Sequence, residues 1–171
     1  VPTDTPRKVA RLSQCLKSER WWGVPKALEA AVWLVVPNSG PKGTSEEIRA
    51  KAYELFEAQA RVGHQAGVRL VDSIFAYGAY AVGDLKKVKE VISRHAKEIE
   101  ETPSNKRWRL LDRTSTHQLQ ALSDKLWTEA KGHRTPHGGL GAFWEEEGSA
   151  PVSEEEDEEA DELFDGLDSE E

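Results

Sequence analysis

The charge on this chain is segregated, and that limits which part of it can fold. The last 27 residues, 145–171, read EEEGSAPVSEEEDEEADELFDGLDSEE; 15 are Asp or Glu and none is Lys or Arg. Such a block repels itself and holds too little apolar surface to offset the entropy lost on ordering, so it is expected to be disordered. All 23 Lys and Arg lie in residues 1–144, against 16 Asp and Glu there, so this part carries +7 and the tail −15. The overall −8 averages two unlike pieces. Residues 1–131 therefore read as one basic helical domain, 132–144 as a glycine-rich linker and 145–171 as an acidic tail.

The apolar spacing of the body points to an all-α fold, a single compact bundle of five or six helices. Thr5-Pro6 opens a first helix, with Val9, Leu12 and Leu16 on one stripe. Cys15 is expected to be packed beside that stripe. The run Ala27–Val36 contains Glu29 and is cut by Pro37, so it reads as a buried helix; it falls short of the ~20 residues that span a bilayer. Thr44-Ser45-Glu46-Glu47 supplies a cap and first-turn acids for a third helix through Ile48, Ala52 and Phe56. Val68–Val82 is apolar on almost every side and should be the central helix. Asp84 caps the next, in which Val88, Val91, Ile92 and Ala96 line one face. Ser115 or Thr116 is expected to cap the last, which carries Leu119, Leu122, Leu126 and Trp127 and stops at Gly132.

One cysteine excludes an internal disulfide and a cysteine zinc cluster, and places the chain in a reducing, intracellular compartment. No stretch reads as a signal peptide. Methionine is absent even at position 1, which suggests a processed product or an excised segment.

Catalytic signatures are missing: no G-x-S-x-G, Walker loop, G-x-G-x-x-G or H-E-x-x-H occurs, so neither an enzyme nor a cofactor is expected. His133 and His137 have H-x3-H spacing, but Pro136 and Gly138-Gly139 exclude the helix that would aim them at one metal. His64, His95 and His117 are isolated in sequence and expected at the surface or partly buried.

Cations are the better signal. Three clusters stand out: Arg7, Lys8 and Arg11; Lys86, Lys87, Lys89, Arg94 and Lys97; and Lys106, Arg107, Arg109 and Arg113. The third encloses Trp108, an aromatic ring between cations that suits stacking on an unpaired base or packing at an interface. Phe143 and Trp144, preceded by glycines and followed by acids, read as a docking peptide.

In the tail, Leu163, Phe164 and Leu167 are apolar anchors at i, i+1 and i+4 among carboxylates, a pattern that folds on a partner with a basic surface. The segment EEADELFDGLD resembles the acidic–aromatic peptides of histone chaperones and transcriptional activators, and the N-protein-binding peptides of viral phosphoproteins. That resemblance implies a basic protein partner. The expected function is a non-enzymatic interaction protein whose body binds an anionic surface, most of all nucleic acid, while the tail competes in cis or binds a partner in trans. One alternative is a viral matrix-type or other virion domain on anionic membrane, since SEEIRAKAYELF and GDLKKVKEVISRHAKEIEE are similar over short stretches to lentiviral matrix helices. A protein–protein adaptor is the other.

Overall fold

Side chains satisfy first-turn amides at the start of two helices, from Thr44 and from Asp84. The structure, a computed structural model, describes residues 4–36 and 38–144. Its described residues form six α-helices and no strand: α1 Thr5–Cys15, α2 Val24–Val35, α3 Ser45–Gln65, α4 Leu70–Ala81, α5 Leu85–Glu101 and α6 Arg109–Lys131, with a 3₁₀ turn at Ser18–Trp21. At α3 a full capping box forms. Thr44 Oγ1 accepts from the Glu47 amide at 3.2 Å and Glu47 Oε2 from the Thr44 amide at 2.8 Å. Asp84 Oδ1 caps α5 through the Lys87 amide at 3.0 Å, and its Oδ2 accepts from the Tyr53 hydroxyl of α3 at 3.0 Å.

The expected all-α bundle is present, with α4 at its centre. This helix packs against α2, α3, α5 and α6. Val71, Phe75, Ala76 and Ala79 on it are fully buried, and Phe75 stacks on Phe56 of α3 with centroids 4.5 Å apart. Trp22 and Gly23 both take left-handed conformations, φ 53° and 84°, and turn the chain from the 3₁₀ turn into α2. A Cβ on Gly23 would lie 2.4 Å from the Gln59 carbonyl oxygen, so only glycine fits there.

Four expectations are corrected. Helix α6 begins at Arg109 and not at Ser115 or Thr116, because Ser115 is buried mid-helix, where its hydroxyl donates to Arg69 O at 2.8 Å. Cys15 is exposed, because α1 buries Ser13 instead, whose hydroxyl donates to Glu29 Oε2 of α2 at 2.7 Å. His95 is fully buried, neither at the surface nor partly buried. Finally, residues 132–144 are not a free linker, and Phe143 and Trp144 are not a free docking peptide.

That last segment is fastened along α5 and α6. Ser93 Oγ donates to Gly141 O at 2.5 Å and Trp127 Nε1 to Ala142 O at 3.3 Å. Phe143 is 4% exposed within the core, and Trp144 meets Trp127 edge-on at 5.5 Å. A glycine sits at 141 for close approach: φ is +94°, and a Cβ would stand 2.8 Å from Ala96 Cβ. The expected disordered tail, with Leu163, Phe164 and Leu167, lies outside the described residues.

Phe143→Ala should therefore lower the unfolding free energy by about 3 kcal/mol, the cost of a core aromatic truncation, as read by urea denaturation. An unchanged midpoint would mean that residues 132–144 are a linker after all.

Candidate functional site

The amphipathic stripe of α1 finds only part of the cover it needs. Helix α1 is anchored to α2 through Ser13, Glu29 and Lys26, the last pairing with Glu29 at 2.8 Å. This attachment leaves Val9, Leu12 and Leu16 facing a cleft of about 190 Å³, closed opposite by Leu28 of α2 and by Trp21 and Trp22, with Leu70 of α4 also lining it. Leu12 is 56% exposed, Trp21 49%, Leu28 42% and Leu16 38%. Four large apolar side chains thus remain in water around one apolar cleft, a pattern of interaction surfaces.

The lining of that cleft carries no charge, and cations lie outside it. At 3.6 residues per turn, Lys8 flanks the Val9–Leu12–Leu16 stripe, Arg11 lies farther round α1 and Arg7 is on its opposite side. All three are exposed, and Lys8 pairs with Asp4 at 2.6 Å. Lys17 and Arg20 add exposed charge at the 3₁₀ turn. An aromatic run continues from the cleft: Trp21 meets Trp22 edge-on at 6.2 Å, and Trp22 meets Trp108 at 5.0 Å. The Arg107 guanidinium lies 5.0 Å from the Trp108 ring. Lys106, Arg109 and Arg113 are exposed and make no ion pair among the described residues. The third cationic cluster is thereby joined to the cleft's aromatic wall.

The α5 cluster goes elsewhere. Arg94 points into the body, pairing with Glu57 and, at 3.0 Å, with Asp72. Lys87 pairs with Glu90 at 2.6 Å and Lys97 with Glu101 at 3.6 Å. Lys89 Nζ lies 3.8 Å over the Trp144 ring. Lys86 is exposed and makes no ion pair among the described residues.

Sequence reasoning missed the buried charges. Asp72 of α4 is fully buried; its Oδ2 accepts from His64 Nε2 at 2.8 Å and from His95 Nδ1 at 2.9 Å. Burial pushes its carboxyl up, but the hydrogen bonds from His64 and His95 and the nearby charges of His64 and Arg94 outweigh this and hold it well below the usual carboxylate range. Arg69 and Asp112 form a second buried pair. Asp112 Oδ1 accepts from the Arg69 amide at 2.8 Å and Oδ2 from Arg69 Nη1 at 2.5 Å. Ser104 donates to the same Oδ2 at 2.5 Å, and Arg69 Nη2 reaches Glu98 O at 3.0 Å and also Thr102 O. One signal was available: Arg69 and Asp72 are charges inside an otherwise apolar run, and buried charges must be paired.

Thr116 Oγ1, 3.0 Å from His95 Nε2, completes a hydroxyl–imidazole–carboxylate order like that of nucleophilic triads. Here the imidazole is sealed from solvent, and its carboxylate is shared with His64 and Arg94. The arrangement ties α3, α4, α5 and α6 together. Among the described residues no group of three or more His, Cys, Asp or Glu is placed to hold a metal ion, and no helix is long and apolar enough to cross a membrane. No family model, curated protein or solved structure shows significant similarity to the chain.

Asp72→Asn, which removes the buried carboxylate that His64, His95 and Arg94 all bond, should cost about 3–5 kcal/mol at neutral pH. A depressed folded-state pKa gives stability that is complete above the unfolded value and lost as pH falls toward the folded one. The gap between wild type and variant should therefore narrow by roughly 1 kcal/mol between pH 6 and pH 3. Urea titrations at both pH values check this, and a constant gap contradicts it.

Proposed function

We propose that this protein is a non-enzymatic interaction module whose α1–α2 cleft receives the apolar face of an acidic amphipathic helix from a protein partner. The observation that carries this reading is the cleft itself: Leu12, Leu16, Trp21 and Leu28 stand exposed around one apolar hollow, with Lys8 flanking its α1 stripe and Lys17 and Arg20 exposed at the adjoining 3₁₀ turn. Apolar walls favour a peptide over a phosphate backbone, which gains nothing from Leu and Val. Nearby cations favour a carboxylate-rich peptide and steer its approach. Each Leu-sized anchor buried there contributes about 1.5–3 kcal/mol. Three anchors, reduced by the cost of association and ordering, give an affinity on the order of 100 µM at best.

Nucleic acid is the second reading, favoured by Lys106, Arg107, Arg109 and Arg113 around Trp108. Trp108 already packs on Trp22, however, and of the α5 cations expected to extend such a face Arg94 is engaged within the body, while Lys87 and Lys97 pair with carboxylates of their own helix.

The test is a titration of the full chain with a fluorescent acidic 16-residue peptide bearing leucines at i, i+3 and i+7, against a scrambled control and a single-stranded oligonucleotide. The amphipathic peptide should bind, and Leu12→Glu should weaken it at least tenfold with unchanged circular dichroism. Retention of peptide binding by Leu12→Glu overturns the cleft as the site. Oligonucleotide binding without peptide binding, lost in Arg107→Glu with Arg109→Glu, overturns the peptide reading in favour of nucleic acid.

A further inference from the structure

We infer that the cleft's resident occupant is the chain's own segment 161–168, DELFDGLD, which seats Leu163, Phe164 and Leu167 in it and must be displaced by a partner. This rests on the peptide reading of the cleft and adds its regulation.

Three observations carry it. The first is chemistry: the final 27 residues contain 15 carboxylates and no cation, and their Leu and Phe residues are confined to positions 163, 164 and 167. On a helix, i, i+1 and i+4 fall within one ~100° arc, a single apolar face with acids on the remainder. The cleft presents apolar walls, with Lys8 flanking the α1 stripe and Lys17 and Arg20 exposed at the 3₁₀ turn that follows Leu16.

The second is where the described chain ends. Trp144 is fixed against Trp127 and beneath Lys89, so the tether has a defined origin on the body. The third is reach. Phe164 lies 20 residues beyond Trp144, a segment that spans up to ~70 Å fully extended and ~25 Å as a flexible coil. A body of this size has a radius of gyration of roughly 14 Å, so any point on its surface is accessible. Tethering at this length gives an effective concentration on the order of 1 mM. A segment with ~100 µM intrinsic affinity would then be docked about nine-tenths of the time and would weaken a competitor about tenfold.

Cys15, the only cysteine, is exposed and adjoins Leu16 at the end of α1, which makes it a native labelling position. A nitroxide placed there in the full chain should broaden the backbone amides of residues 162–168 more than those of the acid run 154–159. The broadening should vanish in Phe164→Ala with Leu167→Ala and in Leu12→Glu. It should be absent when spin-labelled and isotope-labelled chains are separate molecules in a mixture. The double alanine variant should bind the acidic amphipathic peptide about tenfold tighter than wild type. Uniform broadening along the tail, transfer between separate chains, or equal peptide affinity for both proteins overturns the inference. If the peptide binds both equally and no broadening occurs, the cleft reading stands and only its self-occupancy falls; if the peptide binds neither, both fall.

Discussion

Two buried carboxylates hold this bundle in register. Asp72 receives His64 from α3 and Arg94 and His95 from α5. Asp112 of α6 takes both the amide and the guanidinium of Arg69, immediately before α4. Buried pairs of this kind return little net stability over an apolar replacement, because desolvation nearly cancels attraction, whereas leaving one partner alone is expensive. Their value here is positional. They admit one placement of α4 against α3, α5 and α6, and α4 begins with Leu70, a lining residue of the cleft. The same contacts that fix the centre of the bundle therefore also fix that part of the binding face.

Helix α1 has none of this. Its cross-helix polar bond is that of Ser13 with Glu29, and its Leu12 and Leu16 stay in water. The molecule thus has a firmly tied four-helix interior and a lightly attached apolar lip. Trp22, a non-glycine residue in the left-handed region, joins the two and directs its ring between Trp21 and Trp108. Such conformations persist only where surrounding structure imposes them, and they concentrate at functional surfaces.

Much of the fold was legible because its signals are local. The Thr44–Glu47 capping box, the Asp84 cap and the apolar run Val68–Val82 each act within a few residues, and each appears where expected. What escaped depends on distant partners. Ser115 resembles a cap until Arg69, 46 residues earlier, is seen to supply the carbonyl that its hydroxyl bonds. Arg94 resembles a surface cation until Glu57 and Asp72 draw it inward. Glycines at 138, 139 and 141 suggest flexibility, whereas Gly141 is there for contact with Ala96. The cleft was invisible for the same reason: the spacing of Val9, Leu12 and Leu16 shows an apolar stripe but not whether anything covers it.

The separation between tied interior and open lip is tested most directly by mapping amide chemical shifts of the full chain as an acidic amphipathic peptide is added. Occupation of the cleft predicts changes concentrated in Val9–Leu28 and at Leu70, with α5 amides from Lys86 to Lys97 unmoved. Changes centred on α5, with Leu12, Leu16 and Trp21 silent, would contradict it and return the binding face to the cations of that helix.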